Sequence, residues 1–82
     1  MMRLVTNEPN YVVFEHNRTQ YMFSYKTLIA SREAGGDVFL DEKSWNCSAT
    51  TNKHRCRFLG ESGAETEKKI KSGKYKLVNL NN

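Results

Sequence analysis

The sequence predicts a single α+β domain over residues 1–82, in which an antiparallel sheet of three to five strands packs against one or two helices. Stretches rich in β-branched and aromatic residues lie in the first half of the chain, and helix-capping signals lie in the second half. A length of 82 residues leaves room for one hydrophobic core. The 27% of charged residues and 11% of aromatic residues argue against a wholly disordered chain.

The first half predicts short strands that are joined by turns. The spacing of Tyr21, Phe23 and Tyr25 places these three rings on one face of a strand. Segment 27–31 is either a further strand or a helical turn, because so short a run has no decisive periodicity. The predicted strands are residues 1–6, 11–15, 20–25 and 38–40, and the predicted turns are residues 7–10, 16–19 and 35–37.

The second half predicts a first helix that is rich in basic residues. Thr50 or Thr51 supplies its N-cap, because a threonine hydroxyl can accept a hydrogen bond from a free N–H of the first turn. The helix runs through Leu59 and ends at Gly60, which suits the left-handed position after a helix.

A second helix and a final strand are predicted to follow. Residues 62–65 have the sequence of a capping box, in which the serine hydroxyl and the glutamate carboxylate satisfy each other's backbone N–H groups. This helix ends at Gly73, and the alternation over residues 75–79 indicates a strand.

The predicted core contains most of the large apolar side chains. We expect Tyr21, Phe23 and Tyr25 to be buried rather than exposed for stacking on nucleic-acid bases, because a short chain needs its large side chains inside. Trp45 is expected to cover the core, with contact to a partner as the alternative. The predicted core comprises Val13 or Phe14, Tyr21, Phe23, Leu28, Val38 or Phe39, Trp45, Phe58, Leu59 and Leu77.

Charge is distributed unevenly along the chain. Residues 1–49 carry five basic and six acidic side chains, and residues 50–82 carry eight basic and three acidic ones. Lys53 and Arg57 share one side of the first helix, whose N-terminus adds free N–H donors for an anion. A solvated amphipathic helix is the alternative explanation. The predicted partner-binding or nucleic-acid-binding residues are Trp45, Lys53, His54, Arg55, Arg57, Lys68, Lys69 and Lys71.

No catalytic residue, metal site or cofactor is predicted. Cys47, His54 and Cys56, with His16, are the candidate metal ligands. However, His54 and Cys56 are two residues apart on a helix and do not face each other. A cysteine with a histidine is the simplest catalytic pair available, but no recognisable orienting acid or oxyanion loop accompanies it. We therefore expect a protein that is not an enzyme.

Targeting to a membrane or to secretion is not predicted. The N-terminal residues contain no apolar run of signal-peptide length, and no stretch approaches the ~18 apolar residues of a membrane span. We expect a cytoplasmic protein that does not contact a membrane. In a reducing cytosol, Cys47 and Cys56 are expected to stay free thiols rather than to pair with each other.

Two segments resemble a pattern that recurs in short phage and prophage proteins of unknown activity. The similarity covers about residues 11–60, and its two parts are Ser24-Tyr25-x-Thr27-x-Ile29-Ala30 and Trp45-x-x-Ser48-x-Thr50-Thr51-x-Lys53-His54-x-x-x-Phe58-Leu59. The resemblance implies no catalytic or binding residue. It implies a context in which small accessory proteins bind host machinery or host defence complexes, as anti-CRISPR proteins do.

The expected function is that of a non-enzymatic, phage-type accessory protein that binds a host macromolecule in the host cytosol and inhibits it. The partner would be a protein or a protein–nucleic acid complex. The alternative is a small basic protein that binds nucleic acid directly through the same positive surface, with an affinity that falls steeply with salt. The chain would act as a monomer or as a homodimer that buries exposed aromatic side chains.

Overall fold

A computed structural model describes residues 2–81, which form one six-stranded sheet and two helices. The α+β class is confirmed, but the sheet has more strands than the three to five predicted. The additional pairing arises because segment 27–33 is a strand and because both end segments join the sheet. The elements are β1 (Met2–Glu8), β2 (Tyr11–His16), β3 (Thr19–Ser24), β4 (Thr27–Glu33), β5 (Val38–Asp41), α1 (Ala49–Leu59), α2 (Gly63–Lys71) and β6 (Tyr75–Val78).

The sheet order follows the chain order from β1 to β6. Strands β1 to β5 form an antiparallel meander, in which each strand pairs with the next across a short turn. Strand β6 pairs with β5 in parallel, so the chain must cross over the sheet between these strands. Helices α1 and α2 form this crossover, and they cover one face of the sheet.

Two of the hairpin turns use non-glycine residues in the left-handed region. Asn17 and Arg18 have φ angles of 52° and 65°, and Tyr25 and Lys26 have φ angles of 52° and 70°. Two consecutive positive φ angles are typical of a type I′ turn, whose twist matches that of the flanking strands. The predicted strand over residues 20–25 is therefore displaced by one residue, because β3 begins at Thr19 and Tyr25 lies in the turn.

The helix boundaries follow local capping, with one correction. Helix α1 begins at Ala49, and its N-cap is Ser48, whose hydroxyl accepts a hydrogen bond from the Thr51 N–H at 3.1 Å. The prediction of Thr50 or Thr51 as N-cap is therefore wrong, because a competing hydroxyl lies just upstream. Gly60 closes α1 with a φ of 70°, and the capping box at the start of α2 is present, as predicted.

The core lies between the helices and the face of the sheet that they cover. Among residues 2–81, the buried apolar side chains are Tyr11, Val13, Met22, Ile29, Ala30, Val38, Leu40, Phe58 and Tyr75, with Trp45, Leu59 and Ile70 packed against them. The prediction is confirmed for Val13, Val38 and Phe58, and in part for Trp45 and Leu59. It is wrong for Tyr21, Phe23 and Leu28, which lie on the opposite face of the sheet, and for Leu77, which is 39% exposed.

The reason for this error is the period of a strand. Successive side chains of a strand point to opposite faces of the sheet. Once one residue of a strand is known to face the core, the faces of all the other residues in that strand follow. In β3, Met22 and Ser24 face the helices, and Tyr21 and Phe23 face away from them.

Within residues 2–81, neither helix has the length and apolar character needed to cross a membrane.

Candidate functional site

The face of the sheet that the helices leave free is apolar. Residues directly opposite each other on paired strands share a face, and the strand register therefore assigns this surface. We call it the aromatic face, and its apolar members are Leu4, Val12, Phe14, Tyr21, Phe23, Leu28 and Phe39. The register also places the polar residues Asn7, Ser31 and Lys76 on this face, and Ser31 is buried between Tyr21 and Phe39. Within the described part of the chain, no helix and no second sheet covers it.

At the centre of the aromatic face, the Phe14 ring stacks with the rings of Tyr21 and Phe23. The Phe14 ring lies 5.1 Å from the Tyr21 ring and 5.6 Å from the Phe23 ring, with interplanar angles of 22° and 20°. All three side chains are partly exposed. Stacking of this kind fixes the orientation of the rings, so they form a preorganised surface rather than a set of mobile side chains.

A groove runs beside these rings towards the turn between β3 and β4. Its volume is about 350 Å³, and most of its lining is apolar. Tyr25 lies at its end with half of its surface exposed and with a left-handed backbone, which is uncommon for a bulky residue. The lining residues are Asn10, Val12, Phe14, Phe23, Tyr25 and Lys26.

The cations predicted to form a binding surface lie elsewhere, and several of them are neutralised. Both terminal nitrogens of Arg57 donate to the Glu8 carboxylate at 2.9 and 2.6 Å, and its guanidinium lies over the Tyr11 ring. The hydrogen bond from Arg57 lowers the pKa of Glu8. Arg57 therefore ties α1 to the end of β1.

Lys69 takes part in a second ion pair, with a carboxylate that is almost fully buried. Its Nζ lies 2.6 Å from Glu61 Oε1, which also accepts a hydrogen bond from the Tyr75 hydroxyl at 2.8 Å. Burial of Glu61 would raise its pKa, but the hydrogen bonds from Lys69, Thr66 and Tyr75 outweigh burial and lower it. This network joins α2 to β6.

His54 is held by one hydrogen bond and by the rings of Tyr11 and Tyr25. Its Nδ1 lies 2.8 Å from the hydroxyl of the buried Ser24, which in turn lies 3.1 Å from the Thr51 hydroxyl. The imidazole also packs 5.1 Å from the Tyr11 ring. His54 thus fastens α1 onto β2 and β3, and its Nδ1 is not free to bind a partner.

The prediction that Arg55 lies on a cationic surface is wrong. Arg55 is only 2% exposed. It lies four residues after Thr51 and three before Phe58, so these three buried residues share the side of α1 that packs inwards. Its Nη1 donates to the Trp45 carbonyl and to Asn52 Oδ1, and the guanidinium lies 5.1 Å from the Trp45 ring centroid. Trp45 covers Arg55 and packs against the core.

The remaining predicted cations lie on the outer sides of the two helices. Lys71 forms an exposed pair with Glu67 at 3.3 Å. Lys53 and Lys68 are exposed, and neither has an ion-pair partner among residues 2–81. The structure thus places the eight predicted residues on several sides of the helical layer, and a continuous surface of free cations is not formed.

The sequence predicts the core, in preference to an exposed face, for Tyr21, Phe23 and Tyr25, and it does not identify the rest of the aromatic face. The alternation in β3 predicted that Tyr21 and Phe23 share a face, but it carried no signal for which face the helices cover. Cys47 and Cys56 are free thiols, and no group of three metal-ligating side chains occurs in the residues described.

The fold and this surface define a two-layer α+β domain with one face of its sheet uncovered and aromatic. The chain belongs to the family of unknown function DUF8033, whose model matches residues 4–74. Comparison with curated proteins gave no match, and comparison with solved structures gave none either. The family match therefore supports the domain as a recurring unit, and it assigns neither a phage origin nor an activity.

Proposed function

We propose that this protein is a non-enzymatic binding domain and that its aromatic face docks against an apolar surface of a partner protein. The observation that carries the proposal is the stack of Phe14, Tyr21 and Phe23 on a sheet face that no other layer covers. The resemblance to short phage proteins makes a host protein the expected partner, and it makes inhibition of that protein the expected outcome.

An uncovered apolar sheet face calls for an explanation on physical grounds. An antiparallel sheet with one solvated face normally carries polar side chains on that face. Contiguous exposed apolar patches are rare on proteins that act alone, and they mark sites of interaction. Leu4 and Tyr25, at two margins of the aromatic face, are 57% and 50% exposed. Burying aromatic side chains of this size is a main source of affinity in protein interfaces.

The charge of this surface favours a protein over a nucleic acid. Binding to a phosphate backbone requires several cations that track the strand. Lys26 lines the groove, and Lys76 pairs with Phe39 across the sheet. On the helical layer, Lys69 and Lys71 are paired with carboxylates of that layer, and Arg57 is paired with Glu8 of β1. Direct binding of nucleic acid through the basic helices therefore has less support, and it remains the alternative.

The proposal can be tested by capturing partners from a lysate of the source cells with the wild-type protein and with paired variants. The variant Leu4→Glu/Tyr25→Glu places charge on two exposed margins of the aromatic face. Circular dichroism checks that it folds, because the Tyr25 ring also lies 6.1 Å from the His54 ring of α1. Leu77→Glu is the matched control, because Leu77 is an exposed apolar residue of β6 that lies outside this face. We expect a specific partner with wild type and with Leu77→Glu, and its loss with the double variant.

A different pattern would contradict the proposal. If the double variant retained the partner while Lys53→Glu/Lys68→Glu lost it, the helices and not the aromatic face would be the binding surface. If light scattering showed that the wild-type protein is a dimer and the double variant a monomer, a second copy of the chain would occupy the aromatic face. A steep fall of affinity with salt would favour the nucleic-acid alternative.

A further inference from the structure

A second cavity lies on the helical side of the molecule, and it is independent of the aromatic face. Its volume is about 440 Å³. It lies where the loop before α1, the middle of α1 and the N-terminus of α2 meet. The lining residues that matter to its chemistry are Trp45, Asn52, Lys53, Arg55, Gly63 and Glu67.

The wall of this cavity contains a buried guanidinium with unused donors. Both hydrogen bonds from Arg55 Nη1 go to oxygen atoms, those of Trp45 and Asn52. Nη2 has only a 3.9 Å contact with the Cys56 sulfur, and the buried Nε has no hydrogen-bond partner within residues 2–81. No carboxylate in this described part of the chain forms an ion pair with Arg55.

An arrangement of this kind is unfavourable unless an anion completes it. A guanidinium is always charged in proteins, and a buried charge without a counter-ion is costly. Arg55 lines the cavity, and its Nη2 makes no hydrogen bond to an oxygen, whereas its Nε is fully buried. An oxygen of a bound anion would therefore accept from Nη2.

The N-terminus of α2 adds further donors at the same place. Gly63 is the first residue of this helix, and a Cβ at Gly63 would lie 3.4 Å from Arg55 Nη2. The capping box satisfies the Glu65 N–H, and the N–H groups of Gly63 and Ala64 have no hydrogen bond within residues 2–81. Free N–H groups at a helix N-terminus attract anions. Lys53 contributes a second positive charge, and the one carboxylate in the lining, that of Glu67, is paired with Lys71.

We propose that this cavity, here called the Arg55 cavity, binds a phosphate monoester. Arg55, Lys53 and the start of α2 all line the cavity, and three sources of donors suit the three free oxygens of a phosphoryl group better than the two of a carboxylate. The cavity is larger than a phosphate ion and Trp45 also lines it, so it has room for an organic group that carries the phosphoryl group. That organic group belongs either to a small molecule or to a phosphorylated side chain of a protein.

Fluorescence of Trp45 provides a direct test, because it is the only tryptophan in the chain. The full chain is titrated with inorganic phosphate, acetate, a nucleoside monophosphate and a phosphoserine peptide at constant ionic strength set with chloride. We expect saturable changes with the phosphate compounds and none with acetate. Tighter binding of the nucleotide or of the peptide than of inorganic phosphate identifies the source of the phosphoryl group.

Four variants locate the binding without removing Arg55, whose loss could unfold the protein. Lys53→Gln is expected to weaken phosphate binding by about tenfold, and Glu67→Gln to strengthen it by a few fold. Gly63→Ala fills the space beside Nη2 and is expected to abolish binding while the melting temperature without phosphate is maintained.

Lys74→Gln is the control, because it removes one exposed lysine that lies outside the cavity, and it should have no effect on phosphate binding. The proposal is overturned if wild type shows no saturable change, if acetate binds as well as phosphate, or if Lys53→Gln and Lys74→Gln respond alike.

Discussion

At the scale of single residues, Glu61 joins the helical layer to the last strand. Its carboxylate accepts hydrogen bonds from Lys69, Thr66 and Tyr75, which come from α2 and from β6. A carboxylate of such low exposure is stable only when its oxygens are satisfied, and here three donors satisfy it. Each of these bonds therefore contributes to stability as well as to position.

Tyr75→Phe tests this contribution because it removes one hydroxyl and leaves the buried ring in place. The hydroxyl donates to Glu61 at 2.8 Å, and hydrogen bonds to charged groups are the stronger class. We expect the free energy of unfolding to fall by about 1.5 kcal/mol, measured by urea denaturation. Tyr21→Phe is the control, since the Tyr21 hydroxyl has no hydrogen bond to residues 2–81. Equal losses in the two variants would show that the Glu61 network is not stabilising.

At the scale of elements, the hairpin between β3 and β4 has a strained turn. Tyr25 and Lys26 both adopt positive φ angles, which glycine and asparagine tolerate and other residues adopt at a cost. The turn nevertheless forms because its geometry matches the twist of two strands that are anchored elsewhere in the sheet. The turn places the half-exposed Tyr25 ring at the end of the groove beside the aromatic face.

Lys26→Gly is expected to stabilise the protein, because glycine removes the steric penalty at this φ of 70°. The expected gain is about 0.5–1 kcal/mol, seen as a higher melting temperature by circular dichroism. Lys43→Gly, at an exposed position without a positive φ, serves as the matched control and should lower stability slightly because glycine gains freedom in the unfolded chain. A lower melting temperature for Lys26→Gly would mean that the turn is not strained.

At the scale of the whole molecule, three carboxylates connect parts of the chain that are distant in sequence. Glu8 pairs with α1, Asp41 accepts the Leu80 N–H of the C-terminal segment, and Glu61 binds α2 and β6. Their pKa values all lie below the ordinary 4.5 for glutamate and 3.8 for aspartate. For Asp41 the cause is its hydrogen bonds, which outweigh the opposing effect of burial. Exposed Glu8 contributes least, because solvent screens its pair.

These shifts predict that acid destabilises the fold. A carboxyl group with a lowered pKa in the folded state stabilises the protein above its unfolded pKa, and this stabilisation is lost as pH falls through the folded pKa. We expect the free energy of unfolding to decline below about pH 4.5. Glu61→Gln should flatten this decline, and Glu42→Gln, at an exposed carboxylate, should not. A stability that is constant between pH 6 and pH 3 would contradict the prediction.

Much of the architecture could be predicted because its signals are local. The capping box at Ser62, the stop at Gly60 and the β-branched and aromatic runs each depend on neighbouring residues, and all of them predicted elements that the structure contains. The basic site could not be predicted in the same way. Whether Arg57 or Lys69 is free depends on carboxylates that folding brings to it, and for Arg57 that partner is 49 residues away in sequence. The pair of Lys71 with Glu67, four residues apart on one helix, is the local exception.

The sequence by itself determined the α+β class, the two helices and the hairpin between β2 and β3. It also determined that Tyr21 and Phe23 lie on the same face of their strand. Only the tertiary structure decided that the helices cover the opposite face, that Arg55 is buried beneath Trp45, and that the central rings are left uncovered. The physical reason is that a strand alternates between two faces with equal regularity. Which face becomes the core depends on where the crossover helices pack, and that is a property of the whole chain.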